Sequence, residues 1–141
     1  MPGDGYAGDI NPKQAWDLLT QDSEACLVDV RTDAEWRYVG LPSLDELGKP
    51  IFCVGWQLFP DNRLNDDFVD QVKEQGIRED QTVLLICRSG QRSRNAAIAL
   101  TAAGFARCYN VAEGFEGDKD ASGHRGTVGG WKVAGLPWSQ G

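Results

Sequence analysis

The chain has 141 residues, 41% of them hydrophobic, with 14 Lys and Arg against 21 Asp and Glu and a formal net charge of −7. That length suits one compact domain burying roughly 68–70% of its unfolded-chain surface, and an acidic chain without Lys/Arg tracts excludes nucleic acid and anionic membranes as partners. Asn95 to Ala106, the best uncharged stretch, is too short and Ala-rich to span a bilayer, and Met1–Ile10 carries Asp4 and Asp9 with no basic, apolar leader, so the expected location is the cytoplasm.

In chain order, residues 1–10 read as an N-terminal extension and 11–141 as the domain. Asn11 followed by Pro12 is an N-cap with a proline at the first helical position, and Trp16, Leu18 and Leu19 supply an apolar face, so a helix is predicted over 11–20. The apolar run Ala25 to Val30 suits a buried strand. Thr32 with Glu35 three residues on makes a capping box for a second helix that Gly40 and Pro42 stop. A short strand is expected over 51–54. From Asn65 to Gln75, Phe68, Val69 and Val72 share a face and Gly76 ends the turn, giving a third helix. Thr82 to Ile86 is the clearest strand, β-branched and uncharged as a strand covered on both faces should be. A nearly all-apolar helix follows over Ser93–Ala103, then Gly104, then a last strand over Cys108–Val111. Strands alternating with helices predict an α/β domain in three layers, a mostly parallel sheet of about five strands with helices on both faces.

Four cysteines, Cys26, Cys53, Cys87 and Cys108, lie far apart with no CxxC pair and a single histidine, so no zinc site is expected. Cys26, Cys53 and Cys108 sit in apolar strand-like runs, where a free cysteine behaves as a small buried hydrophobe. Cys87 differs, because it ends the clearest strand and precedes Arg88, Arg92 and Arg94. The charge is uneven in the same place: Gln81 to Ala112 contains no Asp or Glu, only those three arginines and Arg107.

The stretch Cys87-Arg88-Ser89-Gly90-Gln91-Arg92-Ser93 joins a buried strand to a helix at the carboxyl edge of the sheet, where α/β proteins bind ligands. A loop that short must curl on itself, with Gly90 allowing the curvature, so that its N–H groups and those of the following helix converge on one anion. A thiol at the bottom of that cradle ionises readily, because helix N-terminal amides and neighbouring cations favour the thiolate. Cys87 is therefore a candidate nucleophile; the alternative is a structural cysteine in a loop whose arginines face solvent. Cysteine-dependent phosphatases need five residues between the cysteine and an arginine that grips the phosphoryl oxygens. Here Ser93 occupies that position, with Arg92 one residue early and Arg94 one late. The six-residue loop Cys87 to Arg92 closes a smaller ring, suited to one extra sulfur atom on Cys87.

These residues, together with Leu27-Val28-Asp29-Val30-Arg31, Glu35-Trp36, Gly104-Phe105, Asn110-Val111, Glu113-Gly114, Gly130-Trp131-Lys132 and Gly135-Leu136-Pro137, make the chain similar to the single-domain rhodaneses, thiosulfate sulfurtransferases, over nearly its whole length. The resemblance implies a persulfide on Cys87 and no separate cofactor. It implies ping-pong transfer from a small anionic donor such as thiosulfate to cyanide, a small thiol or a protein thiol. Arg88 and Arg92 are then expected to attract the donor and support departing sulfite, while the amides of Ser89, Gly90, Gln91, Arg92 and Ser93 stabilise charge on the sulfur. It gives Asp29 and Arg31 a structural role, tying loops together. An alternative from another class is a sulfur-relay or interaction module for a protein partner, with little thiosulfate turnover; a phosphatase or arsenate reductase is more remote because of Ser93.

Two segments depart from the family pattern. Val39-Gly40-Leu41-Pro42-Ser43 leads to an unusual Gly55-Trp56-Gln57-Leu58-Phe59-Pro60 loop, whose Trp56 and Phe59 either line the pocket mouth or pack on the helices. Phe115 to Gly129 is longer than in short relatives; its Asp118, Asp120 and Ser122 resemble the start of a calcium loop, but the twelfth position is Gly129, so calcium is not expected. His124 in that segment is either a lid over the anion site or part of an exposed loop.

Overall fold

A computed structural model describes residues 5–32, 35–36, 39–58, 63–88, 90–117, 121–122 and 129–139. In order, these form β1 (Gly8–Ile10), α1 (Pro12–Gln21), β2 (Cys26–Asp29), β3 (Leu41–Pro42), a 3-10 turn (Asp45–Leu47), β4 (Phe52–Cys53), β5 (Gln57–Leu58) and β6 (Arg63–Leu64). They continue with α2 (Phe68–Glu74), β7 (Thr82–Ile86), α3 (Gln91–Ala102), β8 (Arg107–Val111) and β9 (Trp138–Ser139).

The central sheet has five strands in the order β1-β8-β7-β2-β4, every neighbouring pair parallel. Strand β7 sits in the middle and all five of its residues are buried, which explains its lack of polar alternation. Its side chains divide between two cores. Val83 and Leu85 join Val28, Phe68, Val72, Ala96 and Leu100 on the side of α2 and α3. Leu84 and Ile86 join Ala15, Leu19, Leu27, Phe115 and Trp131 on the side of α1. Each such buried aliphatic contributes about 1.5–3 kcal/mol, and the two apolar faces make the three-layer α/β architecture. Among the described residues no helix is long and apolar enough to cross a membrane.

Local signals placed several elements closely. Asn11 Oδ1 accepts from Gln14 N–H at 2.8 Å while Gln14 Oε1 accepts from Asn11 N–H at 2.8 Å, a reciprocal cap on α1. The Thr32–Glu35 capping box is also present: the Glu35 carboxylate accepts from Thr32 N–H at 3.3 Å, and Glu35 N–H points at Thr32 Oγ1 at 3.5 Å.

Other elements differ from expectation. Residues 8–10, set apart by sequence as an extension, form the edge strand β1, with Asp9 opposite Asn110 on β8. A three-residue strand has no periodicity of its own, and pairing with β8 is what orders it. Helix α2 begins three residues later than predicted because Asn65 builds a turn ahead of it. Asn65 Oδ1 accepts from Asp67 N–H at 3.0 Å, and its amide donates to Gly55 O at 2.9 Å and to Gln71 Oε1 at 2.8 Å. Helix α3 begins at Gln91 rather than Ser93, because Gly90, with φ +105°, turns the chain directly into it. Cys53 is half-buried rather than fully buried, since β4 is the outer strand of the sheet.

Candidate active site

Cys87 follows the last residue of β7 and is only 1% exposed. The chain after β8 buttresses its loop through the backbone: Phe115 N–H donates to Cys87 O at 2.7 Å, and Glu116 and Gly117 N–H donate to Arg88 O at 3.0 and 3.1 Å. The loop is thus clamped from outside while its own N–H groups point inward. Gly90 N–H lies 3.1 Å from Cys87 Sγ and Ser93 N–H 3.4 Å from it, with Ser93 Oγ at 3.2 Å. Both amides belong to the start of α3, where unpaired N–H groups and the helix dipole favour negative charge. The anticipated cradle is therefore built around the sulfur by Gly90 and Ser93. Gln91 is exposed in the first turn of the helix, and Ser89 lies outside the described residues.

The structure separates the arginines. Arg92 donates from both terminal nitrogens to the Glu35 carboxylate, at 2.6 and 2.8 Å, in a partly buried fork. Arg94 lies over the Tyr6 ring at 5.8 Å. Arg88 is exposed, and its side chain forms no ion pair or hydrogen bond among the described residues. Among the described residues Arg88 is thus the loop's exposed cation without a side-chain partner, whereas Arg92 ties the loop to the helical turn after β2.

Burial works to raise the Glu35 pKa, but the Arg92 hydrogen bonds and charge outweigh it, and the value is lowered from 4.5. A depressed carboxylate pKa stabilises the fold above its unfolded value and ceases to do so as pH falls through its folded one. Glu35→Gln is accordingly expected to lower the urea midpoint at pH 7, with the difference from the parent protein shrinking once pH drops below about 4.5. Parallel urea titrations at pH 7 and pH 3 check this, and an undiminished difference at pH 3 counts against the ion pair.

Sequence reasoning missed the residues beneath Ser93. Asn110, 3% exposed on β8, places its Oδ1 2.5 Å from Ser93 Oγ. Its amide nitrogen donates to Gly90 O at 3.1 Å and to Asp9 Oδ1 at 3.0 Å. Asn110-Val111 stood out only as part of the family pattern, and Asp9 gave no signal. Asp29 and Arg31 are both fully buried and paired at 2.7 Å, with Arg31 also donating to Gly40 O at 2.5 Å and lying 4.4 Å over the Phe115 ring. This is the loop-tying role the resemblance implied. Either charge left alone in such a place costs about 3–5 kcal/mol, so the two residues act as a unit.

Burial pushes the Cys26 thiol up to about 12 and the Cys108 thiol up to about 11, so both remain protonated hydrophobes at neutral pH. Trp56 packs edge-on against Phe68 at 5.2 Å, the packing alternative of the two foreseen for it. Phe59, Asp118, Asp120 and His124, with the lid proposed for the last, lie outside the described residues.

The family described as the STR4 middle domain matches residues 8–141. The crystal structure of Rv0390 from M. tuberculosis is similar with a TM-score of 0.89 and 48% identity, over 96% of this chain and 99% of that one. The protein RC0915 of Rickettsia conorii is 40% identical over 125 residues, 89% of this chain and 91% of its own. The thiosulfate sulfurtransferase GlpE of Actinobacillus pleuropneumoniae is 29% identical over 129 residues, 92% of this chain and 90% of its own.

Proposed function

The chain belongs to the rhodanese-like family through the STR4 middle domain, and from that membership we propose that it is a thiosulfate sulfurtransferase carrying sulfane sulfur on Cys87. The observation that carries this reading is the convergence of the Gly90 and Ser93 N–H groups on Cys87 Sγ at the N-terminus of α3. Likeness to GlpE supports the donor.

The steps are two displacements at sulfur. Cys87 thiolate attacks the sulfane sulfur of thiosulfate, a new S–S bond forms, the bond to the sulfonate sulfur breaks, and sulfite leaves with its electron pair. Cyanide or a thiol then attacks the outer sulfur, and the bonding pair returns to Cys87 as thiolate. No external oxidant or reductant is needed when cyanide is the acceptor. The inward N–H groups stabilise negative charge on the outer sulfur, and they are already in place before the reaction. A cysteine only 1% exposed favours a donor that presents one narrow atom at its tip, as thiosulfate does.

Arg88 supplies the exposed positive charge that draws the dianion to the mouth. In an otherwise acidic chain this attraction is local and short-ranged. Arg88→Ala is expected to raise the thiosulfate KM about three- to tenfold, within the range for one partly screened charge, with kcat altered less than twofold. Steady-state kinetics at two salt concentrations decide it: an unchanged KM removes Arg88 from donor binding.

Intact-mass measurement after brief exposure to thiosulfate tests the reading itself. One added sulfur atom that cyanide removes as thiocyanate is the expected result. A protein that gains no sulfur, or holds it without passing it to cyanide, is not a thiosulfate:cyanide sulfurtransferase.

A further inference from the structure

The chain of hydrogen bonds beneath Cys87 has more acceptors than protons to serve them. Asn110 faces two groups that only accept, the Asp9 carboxylate and Gly90 O, so its NH2 must point at them and its Oδ1 at Ser93. Asn110 Oδ1 is buried, and among the described residues its one donor is the Ser93 hydroxyl at 2.5 Å. That hydroxyl has one proton, and its second neighbour, Cys87 Sγ, lies within hydrogen-bond reach at 3.2 Å, so the two acceptors compete for it. Donation to sulfur would orphan a buried amide oxygen at a cost of about 1–3 kcal/mol.

We propose that Asp9 and Asn110 are positioning residues that hold the Ser93 hydroxyl proton away from Cys87 Sγ. Among the described residues the sulfur anion then keeps the N–H partners from Gly90 and Ser93, and the Ser93 hydroxyl adds no further donor. Asp9 is the outer anchor. It lies directly across from Asn110 in the β1–β8 register and is held by the Tyr6 hydroxyl at 2.7 Å. The edge strand β1 thereby belongs to the active site although, among the described residues, none of its residues hydrogen-bonds to Cys87. The consequence for turnover rests on the sulfur-transfer reading; the hydrogen-bond arrangement does not.

The test uses the full chain and compares Asp9→Ala, Ser93→Ala and the double variant. Its first readout is the rate of Cys87 alkylation by iodoacetamide, followed by peptide mass and measured at a pH high enough to ionise the thiol fully. When Asp9 is lost, the Asn110 amide loosens and the hydroxyl turns to donate to the sulfur anion. Alkylation is expected to slow about fivefold, the effect of one net hydrogen bond of about 1 kcal/mol. In the Ser93→Ala background, whatever its own rate, removing Asp9 is expected to change nothing, because there is no hydroxyl left to turn. Asp9→Asn retains an acceptor oxygen and should recover at least half of the loss; it also serves as the reporter if Asp9→Ala folds poorly.

Equal rates with and without Asp9, or a loss that persists undiminished in the Ser93→Ala background, overturn the proposal. Single-turnover sulfur transfer to cyanide is the second readout. If the parent protein takes up no sulfur from thiosulfate, the functional reading fails, while the alkylation cycle still decides the role of Asp9.

Discussion

Cys87→Ser is expected to abolish sulfur uptake from thiosulfate and to lower thiosulfate:cyanide turnover by roughly a thousandfold or more, the scale seen when a covalent nucleophile is removed. The substitution is nearly isosteric. A serine oxygen can still accept from Gly90 N–H, now 3.1 Å from the sulfur, so the loop should keep its shape and the melting temperature should hardly move. What disappears is chemistry: a hydroxyl is not ionised at neutral pH and cannot form or break an S–S bond. Cys26 and Cys108 cannot take over, since burial holds their thiols at about 12 and about 11. Cys53, half-buried on the outer strand, is the remaining thiol. If Cys87→Ser retains a tenth of the parent turnover, the reaction does not run through Cys87, and Cys53 becomes the residue to replace next.

Gly90→Ala should damage both stability and activity. Gly90 has φ +105°, and a Cβ there would stand 2.0 Å from Ala112 O and 2.9 Å from its carbonyl carbon. Those are backbone atoms that cannot rotate away. The cost combines a left-handed backbone with a hard overlap, about 3 kcal/mol in total, or roughly 10 °C in melting temperature for a chain of this size. Relief requires the loop to shift outward, taking with it the N–H that faces Cys87 Sγ. A displacement near 1 Å at such a centre costs on the order of 100-fold in rate. Gly76→Ala is the control. Gly76 has φ +89° but nothing within 4 Å of an added Cβ, so it should lose only about 1 kcal/mol and no activity. Thermal melts and turnover of the two variants side by side check the argument; equal losses would mean that backbone conformation alone, and not the approach of Ala112, governs Gly90.

The parts of this protein that were legible in advance are those whose cause lies within a few consecutive residues. Asn11-Pro12 capped α1, Thr82 to Ile86 formed the buried central strand, and Gly90 turned the loop. Together they put Cys87 at a helix N-terminus, which is why a candidate nucleophile could be named from the chain alone. The uneven charge was legible too, but its use was not. Arg88 and Arg92 are four positions apart, one in the loop and one in the first turn of α3, yet among the described residues Arg88 has no side-chain partner while Arg92 is bound by Glu35, 57 residues away in sequence.

The sequence by itself determined the parallel α/β architecture, the cysteine loop and its basic character, because periodicity, capping and glycine conformation are short-range effects. Only the tertiary structure decided which arginine stays free, that residues 8–10 form a strand, and that Asp9 reaches Asn110 across 101 positions. Those outcomes follow from the register in which β1, β8, β7 and β2 pair. Register is set by the sum of many apolar contacts on both faces of the sheet, and no short stretch of residues carries that sum.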